Sequence, residues 1–135
     1  MNYTITDIEG VGEAYGAKLR DAGIEMTEDL LEKCGAKKGR EAIASQTGLS
    51  EKLLLTWANM ADMMRINGVG GQFAELLHGA GVDTVKELRT RNAENLAAKM
   101  AEVKDEKGIT KAAPAPSIVQ GWIDQGKDME PRITH

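Results

Sequence analysis

Two short glycine turns contain the residues of this sequence best suited to bind an anion. Each follows an apolar residue with the pattern x-Gly-Val-Gly. In such a turn the first glycine adopts a positive φ, the valine packs beneath the turn, and the second glycine starts the next helix. Free N–H groups at a helix N-terminus, together with the helix dipole, can bind a phosphate oxygen. The candidate residues are Gly10, Val11, Gly12, Gly68, Val69, Gly70 and Gly71. The alternative is that each turn only joins two helices.

A basic cluster, "AKKGR" at residues 36–40, is a second candidate contact for phosphate. Its cations are Lys37, Lys38 and Arg40, and they begin a predicted helix. Cations are unfavourable at a helix N-terminus unless an anionic ligand or an acidic partner offsets them, so the placement makes the cluster a candidate for anion binding. In the alternative interpretation the lysines cap the preceding helix and Arg40 pairs with a local acid such as Glu32.

The remaining chemistry-bearing residues do not form a catalytic pattern. Cys34 is the single cysteine, so the chain has no internal disulfide, and it lies away from the helix N-termini that activate thiols. His78 lies on an outer helix face and His135 is the last residue. The sequence contains no nucleophile–base pair, no phosphate loop with lysine and no metal-ligand spacing. We expect a non-enzymatic protein with no cofactor and no metal.

The elements that position the turns form a duplicated unit. "IEGVGEAYGAKLRDAGI" at residues 8–24 returns 58 positions later as "INGVGGQFAELLHGAGV" at residues 66–82. Trp57 matches Trp122 at an offset of 65, which indicates an insertion of about seven residues in the second copy. The predicted domains are residues 1–64 and 65–127, followed by a flexible tail at 128–135.

Within each copy the apolar residues repeat with helical spacing, which predicts an all-α fold. We expect a third helix from about Lys38 to Gln46, an extended loop at 104–117 and a last short helix at about 117–126. The predicted helix-ending glycines are Gly23 and Gly48, and the predicted N-caps are Thr27, Ser50, Thr84 and Asn92.

Large apolar side chains are predicted to fill the core. Trp57 and Trp122 lie on amphipathic helices, so core packing is favoured over stacking on bases. Met60, Met63 and Met64 lie near the junction of the copies, where they either fill the seam, which we favour, or form a partner surface.

Composition limits the class of protein and its partners. The net charge is −4, which counts against a strong nucleic-acid binder because such affinity comes mostly from Lys and Arg on phosphates. The N-terminus lacks a signal-peptide pattern, and no segment approaches the roughly 20 apolar residues of a membrane span. We expect a cytoplasmic protein without membrane contact.

The two quoted turn segments resemble the helix-hairpin-helix motif of DNA repair, ligase and recombination proteins, which grips the phosphate backbone without reading sequence. The run "CGAKKGREAIASQTGLSEKLLLTWANMADMMRINGVG" is similar to a bacterial family of small tandem helix-hairpin-helix proteins known as a domain of unknown function. The resemblance covers residues 4–126 and implies two tandem double-hairpin (SAM-like) helical repeats packed end to end. In this resemblance each repeat consists of two hairpins. The first repeat contains the first turn and the "TGLS" turn, and the second contains the second turn and a degraded, lengthened "KGIT…APS" turn.

The sequence departs from the phosphate-binding pattern after each second glycine. Glu13 follows the first turn and repels phosphate, whereas Asn67, Gly71 and Gln72 around the second turn are uncharged. The second turn is therefore the better predicted anion site. Two hypotheses remain: weak, nonspecific binding of nucleic-acid backbone, which we favour, and a protein-interaction adaptor or self-assembling structural protein that has lost phosphate binding. The oligomeric state is open.

Overall fold

The computed structural model describes residues 2–109 and 112–135. Within these ranges the regular structure is helical, apart from one isolated β-bridge between Thr4 and Met26. A short 3-10 helix, Ile5–Asp7, precedes the first glycine turn. The α-helices are α1 Glu13–Asp21, α2 Thr27–Cys34, α3 Lys37–Thr47, α4 Glu51–Met63, α5 Gly71–Gly79, α6 Val85–Leu88, α7 Ala93–Lys107 and α8 Pro116–Lys127. The predicted all-α class is confirmed.

Helices α1–α4 and α5–α8 follow one another in the same order, and the spacing between matching starts locates the insertion. α1 and α5 begin at Glu13 and Gly71, 58 positions apart. α3 and α7 begin 56 positions apart, whereas α4 and α8 begin 65 positions apart. The extra length therefore lies within α7, which has 15 residues against the 11 of α3, and in the segment that follows it.

The predicted loop at 104–117 is wrong over its first four residues. α7 continues through Lys107 and ends at Gly108, which has a φ of 66°. The run "KDEK" has no apolar residue, so hydrophobic periodicity gave no signal there, although nothing in it opposes a helix. Of the predicted "KGIT…APS" turn, Thr110 and Lys111 lie outside the described residues. Pro116 occupies the first turn of α8, where its missing N–H costs nothing.

Three of the four predicted N-caps are confirmed by side-chain hydrogen bonds. The Ser50 Oγ, Thr84 Oγ1 and Asn92 Oδ1 atoms each accept from the backbone N–H three residues later, at 3.0, 3.3 and 3.0 Å. Each bond satisfies one of the amides that a helix start leaves without a partner.

The prediction that Thr27 caps α2 is wrong, because the cap residue is Met26. The Asp29 carboxylate accepts from the Met26 N–H at 2.9 Å and from the Glu25 N–H at 3.1 Å. Thr27 is free for another contact, and its Oγ1 accepts from the Tyr3 N–H at 3.0 Å. The N-terminal segment is thereby attached to α2.

A single cluster of buried apolar residues extends through both halves of the chain, the first half being residues 1–64 and the second half 65–127. Trp57 and Trp122 are 2% and 3% exposed, so the predicted core role of both tryptophans is confirmed. Met60, Met63 and Met64 also belong to this buried cluster, and the prediction that they fill the seam between the copies stays a prediction. The division into two units at residue 64 stays a prediction.

Polar contacts also join the halves. The buried Asp62 carboxylate at the end of α4 accepts from the backbone N–H of Val85, the first residue of α6, at 2.9 Å. Its other oxygen lies 2.6 Å from the Arg65 guanidinium. Because this carboxylate serves a helix of the second half, rigid-body separation of the halves would leave a buried charge and a helix amide without partners.

The segment 128–135, which we expected to be loose, lies against α2 and α3. The Arg132 guanidinium is 2.8 Å from the Glu28 carboxylate, and the Thr134 N–H donates to the Gly35 carbonyl at 2.8 Å. A Cβ at Gly35 would overlap the Arg132 carbonyl oxygen, so glycine permits this close approach. Met129 and Ile133 of the segment also pack against the core. The contact was missed because two apolar residues form no periodic pattern, and main-chain and charged groups make the other contacts.

Candidate binding site at the glycine turns

The two glycine turns have nearly the same main-chain conformation. We call residues 10–12 the first glycine turn and residues 68–70 the second. Gly10 and Gly68 have φ values of 93° and 98°, and Gly12 and Gly70 are the N-caps of α1 and α5. Val11 and Val69 are 4% and 0% exposed, and each donates its N–H to the carbonyl three residues earlier at 3.1 Å. The predicted geometry of both turns is confirmed.

Each turn rests on an aromatic pair in equivalent positions. The ring centroids of Tyr15 and Trp57 are 5.0 Å apart at 62°, and those of Phe73 and Trp122 are 5.1 Å apart at 55°. Edge-to-face or tilted pairs of this kind add to the energy of burial. The pairs explain why the tryptophans repeat with the turns although their sequence offset differs.

Amides at the first turn are open to solvent. Gly12, Glu13 and Ala14 are exposed, and their N–H groups donate to no other described residue; the first such bond of α1 is from Gly16 to Gly12, at 2.8 Å. These are the orphan donors of a helix start, and the dipole of α1 adds partial positive charge to them. Glu13, however, places a 90% exposed carboxylate on the same turn, where Arg20 lies 3.7 Å away.

The second turn faces acidic residues of the first half. A Cβ on Gly71 would overlap the Asp7 carbonyl oxygen and lie 3.6 Å from the Glu9 carboxylate. A groove of about 470 Å³ at this junction is lined by Tyr3, Asp7, Glu9, Gly70, Gly71 and Gln72. The expectation that this turn is the better anion site assumed uncharged surroundings. The first half supplies carboxylates that the local sequence does not show.

Arg40 does not belong to an exposed basic cluster. It is 4% exposed, and its guanidinium donates to the Cys34 and Gly35 carbonyls at 3.0 and 2.9 Å and to the Thr134 carbonyl. Arg40 therefore satisfies the carbonyls at the end of α2 and holds the tail. Neither predicted role, binding phosphate or pairing with a local acid such as Glu32, matches these contacts.

Lys37 and Lys38 are exposed and form no ion pair with another described residue. Lys37 lies with Lys52 and His135 at a groove of about 210 Å³, whose other lining residues are Arg40, Glu51 and Leu55. The lining of this groove includes neither glycine turn. The structure thus does not bring the predicted basic residues together with the predicted amide donors.

A further groove lies beside the first turn, and sequence reasoning missed it. We call it the first-turn groove; it measures about 320 Å³ and is lined by Glu9, Gly10, Leu53, Thr56, Trp57, Met60, Glu75 and His78. Its residues come from three separate segments of the chain. The recurrence of both the glycine turn and the tryptophan in the two copies was the one sequence signal that could have indicated it.

Cys34 has the properties of a structural thiol. It is buried, and this burial raises the pKa of its thiol to about 11, against the smaller opposing effects of the Arg40 and Lys33 charges. A thiol of this kind is a poor nucleophile at neutral pH because the thiolate is scarce.

Among residues 2–109 and 112–135, no three His, Cys, Asp or Glu side chains cluster closely enough to hold a metal ion. Over the same residues, no helix has the length and apolar character needed to cross a membrane.

The chain belongs to the family described as Domain of unknown function (DUF4332), whose model matches residues 9–129. Both glycine turns and the first-turn groove lie within that range. No curated protein and no solved structure matches the chain.

Proposed function

We propose that this chain is a non-enzymatic protein-interaction adaptor, built as two tandem helix-hairpin-helix repeats packed end to end. The observation that carries the proposal is the acidic surrounding of both turns. Glu9 lines a groove at each turn, and Glu13 begins α1 beside the first. Asp7 also lines the groove at the second turn, although its close approach to Gly71 is through the main-chain carbonyl oxygen. Carboxylates at these positions repel phosphate and attract the basic groups of a protein.

The repeat architecture is supported by the matching turns, aromatic pairs and helix order of the two halves. In each half a turn with a left-handed glycine precedes a helix whose third residue packs an aromatic ring on a tryptophan. We place the protein in the cytoplasm, because its single cysteine is a buried thiol that has no role in a disulfide.

A tagged pull-down from an extract of the host cells tests the adaptor. One half of the extract is treated with nuclease, and excess untagged protein competes in a parallel sample. We expect a protein partner that survives nuclease and is displaced by the untagged chain. A partner lost on nuclease treatment, or the absence of any displaceable protein, contradicts the proposal.

Weak binding of nucleic-acid backbone is the second candidate, and one observation favours it. The amides of Gly12, Glu13 and Ala14 are exposed donors at the start of a helix. Lys37 and Lys38 are free to add charge-assisted contacts to the phosphates of a long ligand.

Fluorescence anisotropy with a labelled duplex and a labelled single strand, titrated with salt, tests this candidate. Binding that falls steeply with salt and is lost in Lys37→Glu/Lys38→Glu supports it. The matched control is Lys99→Glu/Lys127→Glu, which makes the same change of net charge elsewhere. No binding at about 50 mM salt rules this function out.

A further inference from the structure

We propose that the first-turn groove binds a peptide segment in which a Lys or Arg lies next to an apolar side chain. The inference rests on the adaptor function proposed above and specifies its surface and the chemistry of its partner. The groove has an apolar floor, an indole N–H that donates to no other described residue, and two carboxylates in its lining.

The floor of the groove is formed by α4. Leu53 is partly buried, while Trp57 and Met60 are 2% and 4% exposed, and all three line the groove. Methionine and tryptophan surfaces accept apolar side chains of various shapes. An apolar residue of the peptide gains by leaving water for this floor.

The indole N–H of Trp57 supplies an unused donor. It donates to no other described residue, although the side chain is almost completely buried. The Nε1 atom lies beneath Gly10, 4.0 Å from where a Cβ at that position would be, and both residues line the groove. An indole N–H at the edge of a groove is a hydrogen-bond donor, and a peptide carbonyl oxygen provides an acceptor for it.

Two glutamates give the rim of the groove a negative charge, and this charge favours a partner that carries basic side chains. Glu9 forms no ion pair with another described residue, and Glu75 has only a long contact of 3.9 Å to the Lys107 Nζ. His78 also lines the groove; its Nδ1 atom is buried and lies 3.2 Å from the Asp83 carboxylate without forming a hydrogen bond. Two carboxylates around an apolar floor favour a basic peptide and disfavour a phosphate backbone, since like charges brought together cost energy.

NMR titration of the whole chain with three synthetic nine-residue peptides tests the inference. The first peptide alternates Lys and Leu, the second replaces each Lys by Glu, and the third replaces each Leu by Ser. The readout is the pair of indole N–H signals, in which Trp122 serves as an internal control. We expect the Lys–Leu peptide to shift the Trp57 signal at about 1 mM or below, the Trp122 signal to stay in place, and the other two peptides to bind at least about tenfold more weakly.

Charge variants complete the test. Glu9→Lys/Glu75→Lys should weaken binding of the Lys–Leu peptide at least about tenfold, which corresponds to about 1.4 kcal/mol. Glu9→Gln/Glu75→Gln keeps the shape of the side chains and should weaken binding several-fold, which separates charge from misfolding. Glu102→Lys/Glu106→Lys on α7 is the matched control and should bind like the unchanged chain.

The outcomes separate the groove from the adaptor function. Equal binding of the Glu–Leu peptide, equal shifts of both indole signals, or no shift of the Trp57 signal overturns the inference. If the pull-down partner survives nuclease and still binds Glu9→Lys/Glu75→Lys, the adaptor function stands and the groove assignment fails. If no displaceable partner is found, the adaptor function fails by itself.

Discussion

The first and second glycine turns have φ values within a few degrees of each other at Gly10 and Gly68, and both bury the following valine. Their surroundings differ at the next position. In the first turn this position is Glu13, whose side chain is 90% exposed, whereas in the second it is Gly71, which contacts the Asp7 carbonyl. Local sequence determines the shape of each turn, but the packing of one half on the other decides which turn is open.

The largest expected effect comes from closing the space at the junction of the halves. Gly71→Ala places a methyl group on the Asp7 carbonyl oxygen, and main chain cannot move aside as a flexible side chain does. We expect a loss of about 2–3 kcal/mol in the free energy of unfolding, measured by urea denaturation. The matched substitution in the first turn, Glu13→Ala, should change stability by less than about 0.5 kcal/mol. Similar losses at both positions would contradict the difference between the turns.

The aromatic residues above the tryptophans should also differ in their contributions. Tyr15 is 41% exposed and Phe73 is partly buried, although their distances to Trp57 and Trp122 are nearly equal. We expect Phe73→Ala to cost about 2 kcal/mol and Tyr15→Ala about 1 kcal/mol, because less area of tyrosine leaves water. Calorimetric melting provides the measurement, and a larger loss for Tyr15→Ala would show that the first turn is the more tightly packed one.

Substituting the first glycine of each turn tests the left-handed main-chain conformation that both turns adopt. A residue with a Cβ in the left-handed region costs about 1–2 kcal/mol, so both Gly10→Ala and Gly68→Ala should destabilise the chain. Gly68→Ala should cost about 0.5 kcal/mol more, because its Cβ would lie 3.2 Å from the Trp122 Nε1 atom, against 4.0 Å from Trp57 for Gly10→Ala. Urea denaturation of the two variants side by side measures the difference, and the opposite order would be inconsistent with the closer fit of the second turn.

Chemical labelling of Cys34 gives the smallest expected effect and the most local one, because this residue lies in the first half only. Burial raises its pKa from 9.0 to about 11, so at pH 8 about one native thiol in a thousand is ionised. Modification by a disulfide reagent at pH 8 should therefore require opening of the protein, and the rate should rise with pH through the pKa of the opened thiol, which is near the ordinary value of 9.0. Because the halves share one core, we expect this opening to cost the full free energy of unfolding. The labelling rate can be compared with the rate calculated for labelling through global unfolding. An observed rate more than about tenfold higher would show that the first half opens as a separate unit.

The sequence predicted those parts of the structure that depend on neighbouring residues. The left-handed glycines, the buried valines and the caps Ser50, Thr84 and Asn92 follow from patterns only a few residues long. Thr27 was the exception, because Asp29 competes for the same cap and Tyr3 offers Thr27 another bond.

The parts that sequence patterns did not predict depend on contacts between distant residues. Arg40 looked like a surface cation, but one of its acceptors, Thr134, lies 94 positions away in the chain. The second turn looked neutral because Glu9 and Asp7 approach it from the other half. Charge counted along the chain does not give the potential at a site when folding brings separate segments together.

The close approach of Gly71 to Asp7 also limits how such units can be joined into longer arrays. Stacking one unit on the loop of the unit before it requires a residue without a Cβ at the start of the packed helix. Gly71 meets that requirement, whereas the equivalent position of the first turn is Glu13, which carries a Cβ. The junction is therefore directional, because the start of α5 packs on the first half whereas the start of α1 is exposed.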